Sequence, residues 1–203
     1  MERYEDDNIP PQIRGKKLDI TKERIVRDPL KLKATFNEAR DRLLNINNWA
    51  SLVDGATSTF ALLDNKGKEE TRIPKESDYV KIDIPGPGPG HGAGFDWVTI
   101  TKIDDRPEDL YVMITMQPSP PPQKPDSDKV AHFFKAYSST TLIVKIAGEK
   151  LLVIYAGRNE EINSESGRPV DNIRNMFVGL GAKLGLSHPQ WEKLVLGILG
   201  SEN

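Results

Sequence analysis

The amino-acid sequence predicts an α+β fold, in which an antiparallel sheet of about six strands is covered on one face by helices. Segments that alternate apolar and polar residues occupy the middle of the chain, and short turns separate most of them. Helical periodicity occurs near the N-terminus and again in the C-terminal region. Strands joined by turns form antiparallel sheets, and helices confined to the chain ends cover one face. A closed barrel with appended helices is the alternative arrangement.

Length and composition favour a single globular domain. The chain has 203 residues, of which 37% are hydrophobic and 29% are charged, and this length suits one domain with a sizeable core. Residues 1–17 are mostly polar and include Pro10 and Pro11, so we expect a flexible N-terminal arm there. Residues 18–203 form the predicted α+β domain.

Charge and residue usage exclude several classes of function. A net charge of −2 gives no strong field for a nucleic-acid backbone. The chain has no cysteine, which removes disulfides, zinc ribbons, iron–sulfur clusters and thiol nucleophiles. No segment approaches the ~18 apolar residues of a membrane span, and the N-terminus lacks a basic start followed by an apolar stretch. We therefore expect a cytoplasmic protein that binds neither nucleic acid nor membrane.

The first predicted elements are a short strand around Leu18 and Ile20 and a helix over residues 29–45. Asp28 is a favoured N-cap residue, and Pro29 fits the first helical position, where no backbone N–H is needed. Apolar residues at spacings of four, three and four predict one buried face of this helix. They are Leu32, Phe36, Ala39 and Leu43.

The strands predicted after this helix are β-branched or alternate in polarity. They cover residues 57–63, 79–84, 95–103, 110–116, 138–146 and 150–157. A Gly/Pro-rich loop at 85–94 and a Pro-rich segment at 117–129 interrupt the series. Pro85, Pro87 and Pro89 remove N–H donors from the first loop, and a strand follows it. A phosphate-binding loop is therefore not indicated, and we expect a mobile hairpin loop instead.

The C-terminal region predicts two helices with a break between them. An apolar stripe over residues 170–184 indicates the first helix, and Gly185 is suited to end it. Ser187 and Gln190 then form a capping box for the second helix. Its apolar face consists of Trp191, Leu194, Val195, Ile198 and Leu199.

The order of motifs between residues 18 and 116 carries a family resemblance. A first strand leads into the helix at Asp28-Pro29, and the run from Asn48 to Gly55, which contains Trp49, turns into a strand. The segments 78–82 and 97–104 follow as further strands. This order resembles the START-like helix-grip superfamily, which includes polyketide cyclase-like and lipid-transfer-like proteins. The break after Gly185 differs from the single long C-terminal helix of that superfamily.

The resemblance implies an apolar cavity between the sheet and the C-terminal helix, where members of the superfamily bind lipids, sterols or polyketides. We therefore expect an apolar small molecule as the ligand, and no cofactor or metal. The candidate ligand-binding residues are Trp97, His132, Phe133, Tyr155, Arg158, Met176 and Phe177. Arg158 is the candidate polar anchor, because a guanidinium suits a carboxylate or phosphate.

Two other functions stay open at this point. In one, the protein is a non-enzymatic interaction or assembly module that uses residues 118–125 and the Gly/Pro-rich loop as contact surfaces, with homo-oligomerisation as one form of this. In the other, it is a cyclase- or hydrolase-like enzyme with His132 or Asp96 as the acid or base. No nucleophile motif accompanies these residues, so the sequence identifies no reaction.

Overall fold

A computed structural model describes residues 6–53, 58–84, 92–125, 127–161, 163 and 188–200. The described residues form one antiparallel sheet and two α-helices, and an antiparallel sheet covered by helices is the fold that the sequence predicts. The strands are β1 (Lys16–Ile25), β2 (Thr59–Leu63), β3 (Tyr79–Asp83), β4 (Asp96–Arg106), β5 (Tyr111–Pro118), β6 (Ser139–Ala147) and β7 (Lys150–Glu160). The helices are α1 (Pro29–Leu44) and α2 (His188–Leu199), with 3₁₀ helices η1 (Ile46–Leu52) and η2 (Pro107–Asp109).

The sheet is open and has seven strands in the order β1-β7-β6-β5-β4-β3-β2. Strands β2 to β7 pair with their neighbours in sequence, whereas β1 pairs with β7. Because β1 and β2 are the two edges, the closed-barrel alternative is wrong. The seventh strand comes from β1, a ten-residue strand where only a short one is predicted.

Helix α1 begins and buries its apolar face as the sequence predicts. The Asp28 side chain accepts hydrogen bonds from the backbone N–H groups of Leu30 (2.9 Å) and Lys31 (3.3 Å), which satisfies donors that the first turn leaves unpaired. The four predicted apolar residues are all buried, together with Leu44. Arg40 forms a bidentate ion pair with Asp105 of β4, which attaches the helix to the sheet.

The helices cover one face of the sheet, here called the inner face. Side chains alternate between faces along a strand, and those on the inner face join the helices in one apolar core. A smaller cluster lies on the opposite, outer face. It contains Tyr111, Met113, Ile143, Leu152 and Ile154.

Helix α2 is fixed at its C-terminal end by two arginines. Arg24 of β1 donates to the carbonyl oxygens of Leu199 and Gly200, and Arg42 of α1 donates to that of Ile198. These cations compensate carbonyl groups that the end of a helix leaves unpaired. Among the described residues, no helix is long and apolar enough to cross a membrane. The first of the two predicted C-terminal helices, over 170–184, lies outside the described residues.

The segment before β1, residues 6–15, lies against the outer face. The Asp6 carboxylate is 3.0 Å from Lys145 Nζ and accepts a hydrogen bond from the Tyr111 hydroxyl. Ile9 packs on the outer-face cluster. At the other end of the segment, the Asn159 side chain bonds to the backbone of residues 11, 13 and 14. Side chains of the sheet thus contact this segment at both ends.

The Pro-rich segment is packed against the protein along part of its length. Pro118, Pro121 and Pro122 are buried. A side chain at Gly67 would lie 3.1 Å from Pro122, so this part of the segment contacts the turn after β2. These three buried prolines therefore could not contact a partner that bound residues 118–125.

Candidate functional site

The last residues of β7 place polar side chains on both faces of the sheet. Tyr155 points to the inner face and joins the core beneath the helices, whereas Arg158 points to the outer face. Asn159 has a positive φ of 56°, an uncommon backbone conformation for a residue other than glycine. This irregularity returns the next residue, Glu160, to the inner face, where its carboxylate meets Tyr155.

Tyr155 is fully buried and has polar and aromatic partners. Its ring lies 4.5 Å from the Trp191 ring of α2, measured between centroids. Its hydroxyl donates to Glu160 Oε1 at 3.1 Å. The hydroxyl thus gives its proton to Glu160, and it holds the carboxyl in one position.

Gly157 provides the space for that carboxyl group. A Cβ atom at this position would lie 2.2 Å from Glu160 Oε1 and 3.1 Å from the Tyr155 hydroxyl. Real Cβ atoms do not approach oxygen so closely, so any side chain here would displace the carboxyl. The sequence Tyr155-x-Gly157-x-x-Glu160 thus builds a paired hydroxyl and carboxyl on the inner face.

The surroundings of this pair disfavour negative charge. Burial raises the pKa of Glu160 above its ordinary value, and the Tyr155 hydrogen bond and the charges of Lys16 and Arg158 offset this only in part. Burial also raises the pKa of Tyr155 well above its ordinary value, and the Glu160 charge adds to that rise. Glu160 can accept a hydrogen bond or a proton, while Tyr155 stays a neutral donor.

Arg158, the predicted polar anchor, lies on the face opposite to Tyr155. Its side chain is buried, and Nη1 donates to Asp19 Oδ1 at 2.6 Å and to the carbonyl of Gly157 at 2.8 Å. Strand alternation is the physical reason, because residues an odd number of positions apart face opposite sides. Arg158 therefore does not reach a ligand held between the sheet and the helices.

Trp97, a predicted cavity wall, also lies on the outer face. It packs with Leu63 and Ala131 in a third small cluster. Its indole N–H donates to the carbonyl of Gly92 at 3.1 Å. Its neighbour Val98 faces inward, for the same reason of alternation.

His132 and Phe133 lie near Trp97, in a segment that crosses one end of the sheet. The carbonyl of Ala131 accepts from the Trp97 backbone N–H, and the N–H of Lys135 donates to Glu161 after β7. His132 is buried, its ring stacks on Phe133 at 4.7 Å, and its Nδ1 accepts from the backbone N–H of Phe134.

Asp96, the alternative acid or base, adjoins this segment. It is buried at the start of β4, and its Oδ1 accepts from the backbone N–H of Phe133 at 3.0 Å. The structure thus brings Trp97, His132 and Phe133 together at one end of the sheet, whereas Tyr155 lies in the inner-face core and Arg158 pairs with Asp19 of β1. Met176 and Phe177 lie outside the described residues. Within the described ranges, no group of three or more acidic or histidine side chains is arranged to hold a metal ion.

The inner face between the helices is an apolar wall. The helix backbones approach the sheet at its sides, with η1 on β2, α1 on β6 and β7, and α2 on β1 and β7. The backbones of α1, α2 and η1 approach β3, β4 and β5 less than these other strands, although helix side chains share one buried apolar core with all of them. The inward side chains of these three strands include Val80, Ile82, Val98, Ile100, Val112, Ile114 and Met116.

Strand register connects this wall to the Tyr155–Glu160 pair. Ile100 pairs with Met116, Met116 pairs with Thr140, and Thr140 pairs with Gly157. These residues form one inward-facing row across β4, β5, β6 and β7. Since adjacent strands are about 4.8 Å apart, Met116 and Gly157 are roughly 10 Å apart across the sheet. One small molecule is thus long enough to contact both the apolar wall and the Glu160 carboxyl.

Solved structures confirm the architecture. A hypothetical protein from Helicobacter pylori superposes with a TM-score of 0.57 at 8% identity, covering 98% of this chain and 97% of that chain. This likeness shows a shared fold. The sequence matches no known family profile and no curated protein. The architecture is the one that the sequence predicts: an antiparallel sheet with helices on one face.

Two proteins of known name show weaker likeness. Norcoclaurine synthase from Thalictrum flavum has a TM-score of 0.41 at 13% identity, covering 95% of this chain and 100% of that chain. Major latex-like protein 151 from Panax ginseng has a TM-score of 0.37 at 15% identity, covering 79% of this chain and 90% of that chain. Scores this low carry no argument about function.

Sequence reasoning did not single out Glu160. The strand prediction ended at Gly157, which placed residues 158–161 in a loop and made Arg158 the most conspicuous charge. In the structure β7 continues to Glu160. The available signal was Gly157, which interrupts an apolar strand and is typical of a bulge or of a close approach by another group.

Proposed function

We propose that this protein binds an apolar small molecule against the inner face of β3, β4 and β5. The observation that carries the proposal is the continuous apolar inner face of β3, β4 and β5, which the backbones of the described helices approach less than they approach the other strands. A ligand lying there would contact Val98, Ile100 and Met116. Ligand sites are typically concave and apolar, with few polar groups that fix orientation, and the Tyr155–Glu160 pair would supply such groups.

The geometry favours this function over the two alternatives. An assembly surface made by residues 118–125 would lack the buried prolines of that segment. An acid–base role for His132 would have to use Nε2, because Nδ1 already accepts the backbone N–H of Phe134 and the buried ring stacks on Phe133. The cytoplasmic location and the homo-oligomeric state stay predictions from the sequence.

Binding of Nile red, a neutral apolar dye, tests the proposal. We expect saturable fluorescence enhancement with the wild-type protein. Val98→Trp would place a bulky ring on β4 where the ligand is proposed to lie, and it would weaken dye binding by roughly tenfold or more. Thr99→Trp is the matched control, because Thr99 is the next residue of β4 and faces outward, so the dye should bind it as it binds the wild type.

Val98→Phe serves as a smaller change should Val98→Trp not fold, with circular dichroism as the check on folding. Failure of the wild-type protein to bind the dye would contradict the proposal. Equal binding by folded Val98 variants and the wild type would contradict it as well.

A further inference from the structure

We infer that the ligand carries a cationic amine that binds to the carboxylate of Glu160. This inference rests on the proposed function, because it assigns the polar end of a molecule whose apolar body lies on β4 and β5. The assignment comes from the hydrogen bonds of Glu160, from the charges around it, and from its register with the apolar wall.

The hydrogen bonds of Glu160 leave one carboxyl oxygen for a ligand. Oε1 accepts from the Tyr155 hydroxyl at 3.1 Å. Within the described part of the chain, no group donates to Oε2, and the side chain is only partly buried. Since the Tyr155 hydroxyl gives its one proton to Oε1, it has no proton left to donate to a ligand. The carboxylate is therefore the acceptor that the pair offers, and a ligand must bring the donor.

The charges near Glu160 favour a cation over a neutral donor. Lys16 and Arg158 act on Glu160 only through longer-range attraction, and neither forms an ion pair with it. Arg158 is on the other face and is held by Asp19 at 2.6 Å. A carboxylate desolvated on an apolar face without a contacting cation is unfavourable. An ammonium group would supply the missing charge and a charge-assisted hydrogen bond.

The same charges disfavour an anionic ligand. A fatty-acid carboxylate placed at this end of the wall would meet Glu160 without a cation between them. Arg158, the residue suited to anions, faces the outer side of the sheet. The ligand class is thus an amine with an apolar body long enough to span from Met116 to Gly157, roughly 10 Å or two strand spacings.

A matched pair of probes separates the amine from its apolar body. 1-Naphthylmethylamine and 1-naphthalenemethanol share the same ring system and differ only in the polar group. Isothermal titration at neutral pH and low salt should show that the wild-type protein binds the amine about tenfold more tightly, as expected for one hydrogen bond to a charged group.

Two glutamine variants locate that preference. Glu160→Gln keeps the size and an acceptor for Tyr155 but removes the charge, so the tenfold preference should disappear. Glu161→Gln is the control, because Glu161 contacts Lys135 and Tyr137 and should leave the preference intact. Titration of the wild-type protein in acid provides a second measurement, since protonation of Glu160 should remove the preference while the amine stays charged.

The outcomes distinguish this inference from the proposed function. Equal binding of amine and alcohol by the wild-type protein overturns the inference and leaves an apolar ligand in place. A preference that persists in Glu160→Gln, or in acid, also overturns it. If neither naphthalene compound nor Nile red binds, the proposed function and the inference both fail.

Discussion

The two faces of β7 carry charge in different ways. On the outer face Arg158 is paired with Asp19 at 2.6 Å, and on the neighbouring strand Lys145 is paired with Asp6 at 3.0 Å. On the inner face Glu160 is held by a hydroxyl group and has no contacting cation within the described chain. Paired charges stabilise the packing of the chain on itself. A desolvated carboxyl without a contacting cation instead suggests a binding site for a cationic group of a ligand.

The largest expected effect comes from Asn159, where β7 turns from one face to the other. Asn159→Ala removes three side-chain hydrogen bonds, to Pro11, Ile13 and Arg14, and places alanine at a φ of 56°. We expect a loss of about 3 kcal/mol in the free energy of unfolding, at about 1 kcal/mol per bond, with backbone strain in addition. Urea denaturation measures it.

Asn159→Gly is the control for backbone conformation, because glycine adopts a positive φ readily. It should be less destabilising than the alanine variant. A greater loss for glycine than for alanine would show that the conformation at this position is not the one described.

The next effect concerns the outer ion pair. Arg158→Met keeps much of the apolar stem but removes the donor to Asp19 and to the carbonyl of Gly157. We expect a loss of about 1–2 kcal/mol by urea denaturation, because the arginine is buried while Asp19 is largely exposed. Nile red affinity should not change, since this side chain faces away from the helices. A large loss of dye binding in a folded Arg158→Met protein would contradict the conclusion that Arg158 lies on the face away from the ligand.

The two faces should also differ in the sign of their pH dependence. Burial alone would raise the pKa of Asp6, but hydrogen bonds from Lys145 and Asn8 and the Lys145 charge hold that pKa below its ordinary value of 3.8. Its stabilising contribution is present above that ordinary pKa and is lost as the pH falls through the folded-state pKa. Asp6→Asn should therefore lower the melting temperature at neutral pH, and the difference should vanish in acid.

Glu160 should behave in the opposite way. Burial raises its pKa above 4.5, so its contribution is fully present below pH 4.5 and is lost as the pH rises through the raised folded-state pKa. Glu160→Gln should therefore raise the melting temperature at neutral pH, and this difference should also vanish in acid. Tyr155, Lys16 and Arg158 are the groups that tune the midpoint. A lower melting temperature for Glu160→Gln at neutral pH would contradict the described environment.

The smallest effect on stability is expected at Gly157. In Gly157→Ala the new Cβ atom meets the end of the Glu160 side chain, 2.2 Å from Oε1, and that end can rotate away. The free energy of unfolding should change by less than about 1 kcal/mol, while the Glu160 carboxyl leaves Tyr155. NMR titration of Glu160 should show a changed pKa, and the preference for the naphthyl amine should fall. An unchanged titration would mean that the carboxyl does not lie over Gly157.

The sequence predicted those elements whose local signals agree with their packing. Asp28 and Pro29 define the start of α1, and the apolar spacing defines its buried face. The length of β1 was less predictable. Its inward positions Lys22 and Arg24 bind Glu192 and the last carbonyls of α2, so the apolar alternation stops although the strand continues to Ile25.

The candidate site was predictable only in part. Tyr155 lies where the alternation of β7 places it, on the inner face. Alternation also places Trp97 on the face opposite to Val98, and Arg158 on the face opposite to Tyr155. Applied to both strands, it predicts that Trp97 and Arg158 lie on the outer face. Glu160 could not be assigned in this way, because the positive φ of Asn159 shifts the alternation by one residue. Such a shift depends on contacts with residues 11–14, which are distant in sequence.

The pairing of β1 with β7 has a consequence for how the chain acquires its fold. Ile20 pairs with Tyr155, so β1 can complete its hydrogen bonds with β7 only after β7 has left the ribosome. Contacts between such distant residues slow folding, because a long loop must close before they form. Until then, the inward side chains Leu18 and Ile20 remain exposed on the nascent chain. Chaperones that bind apolar segments could bind β1 during this time.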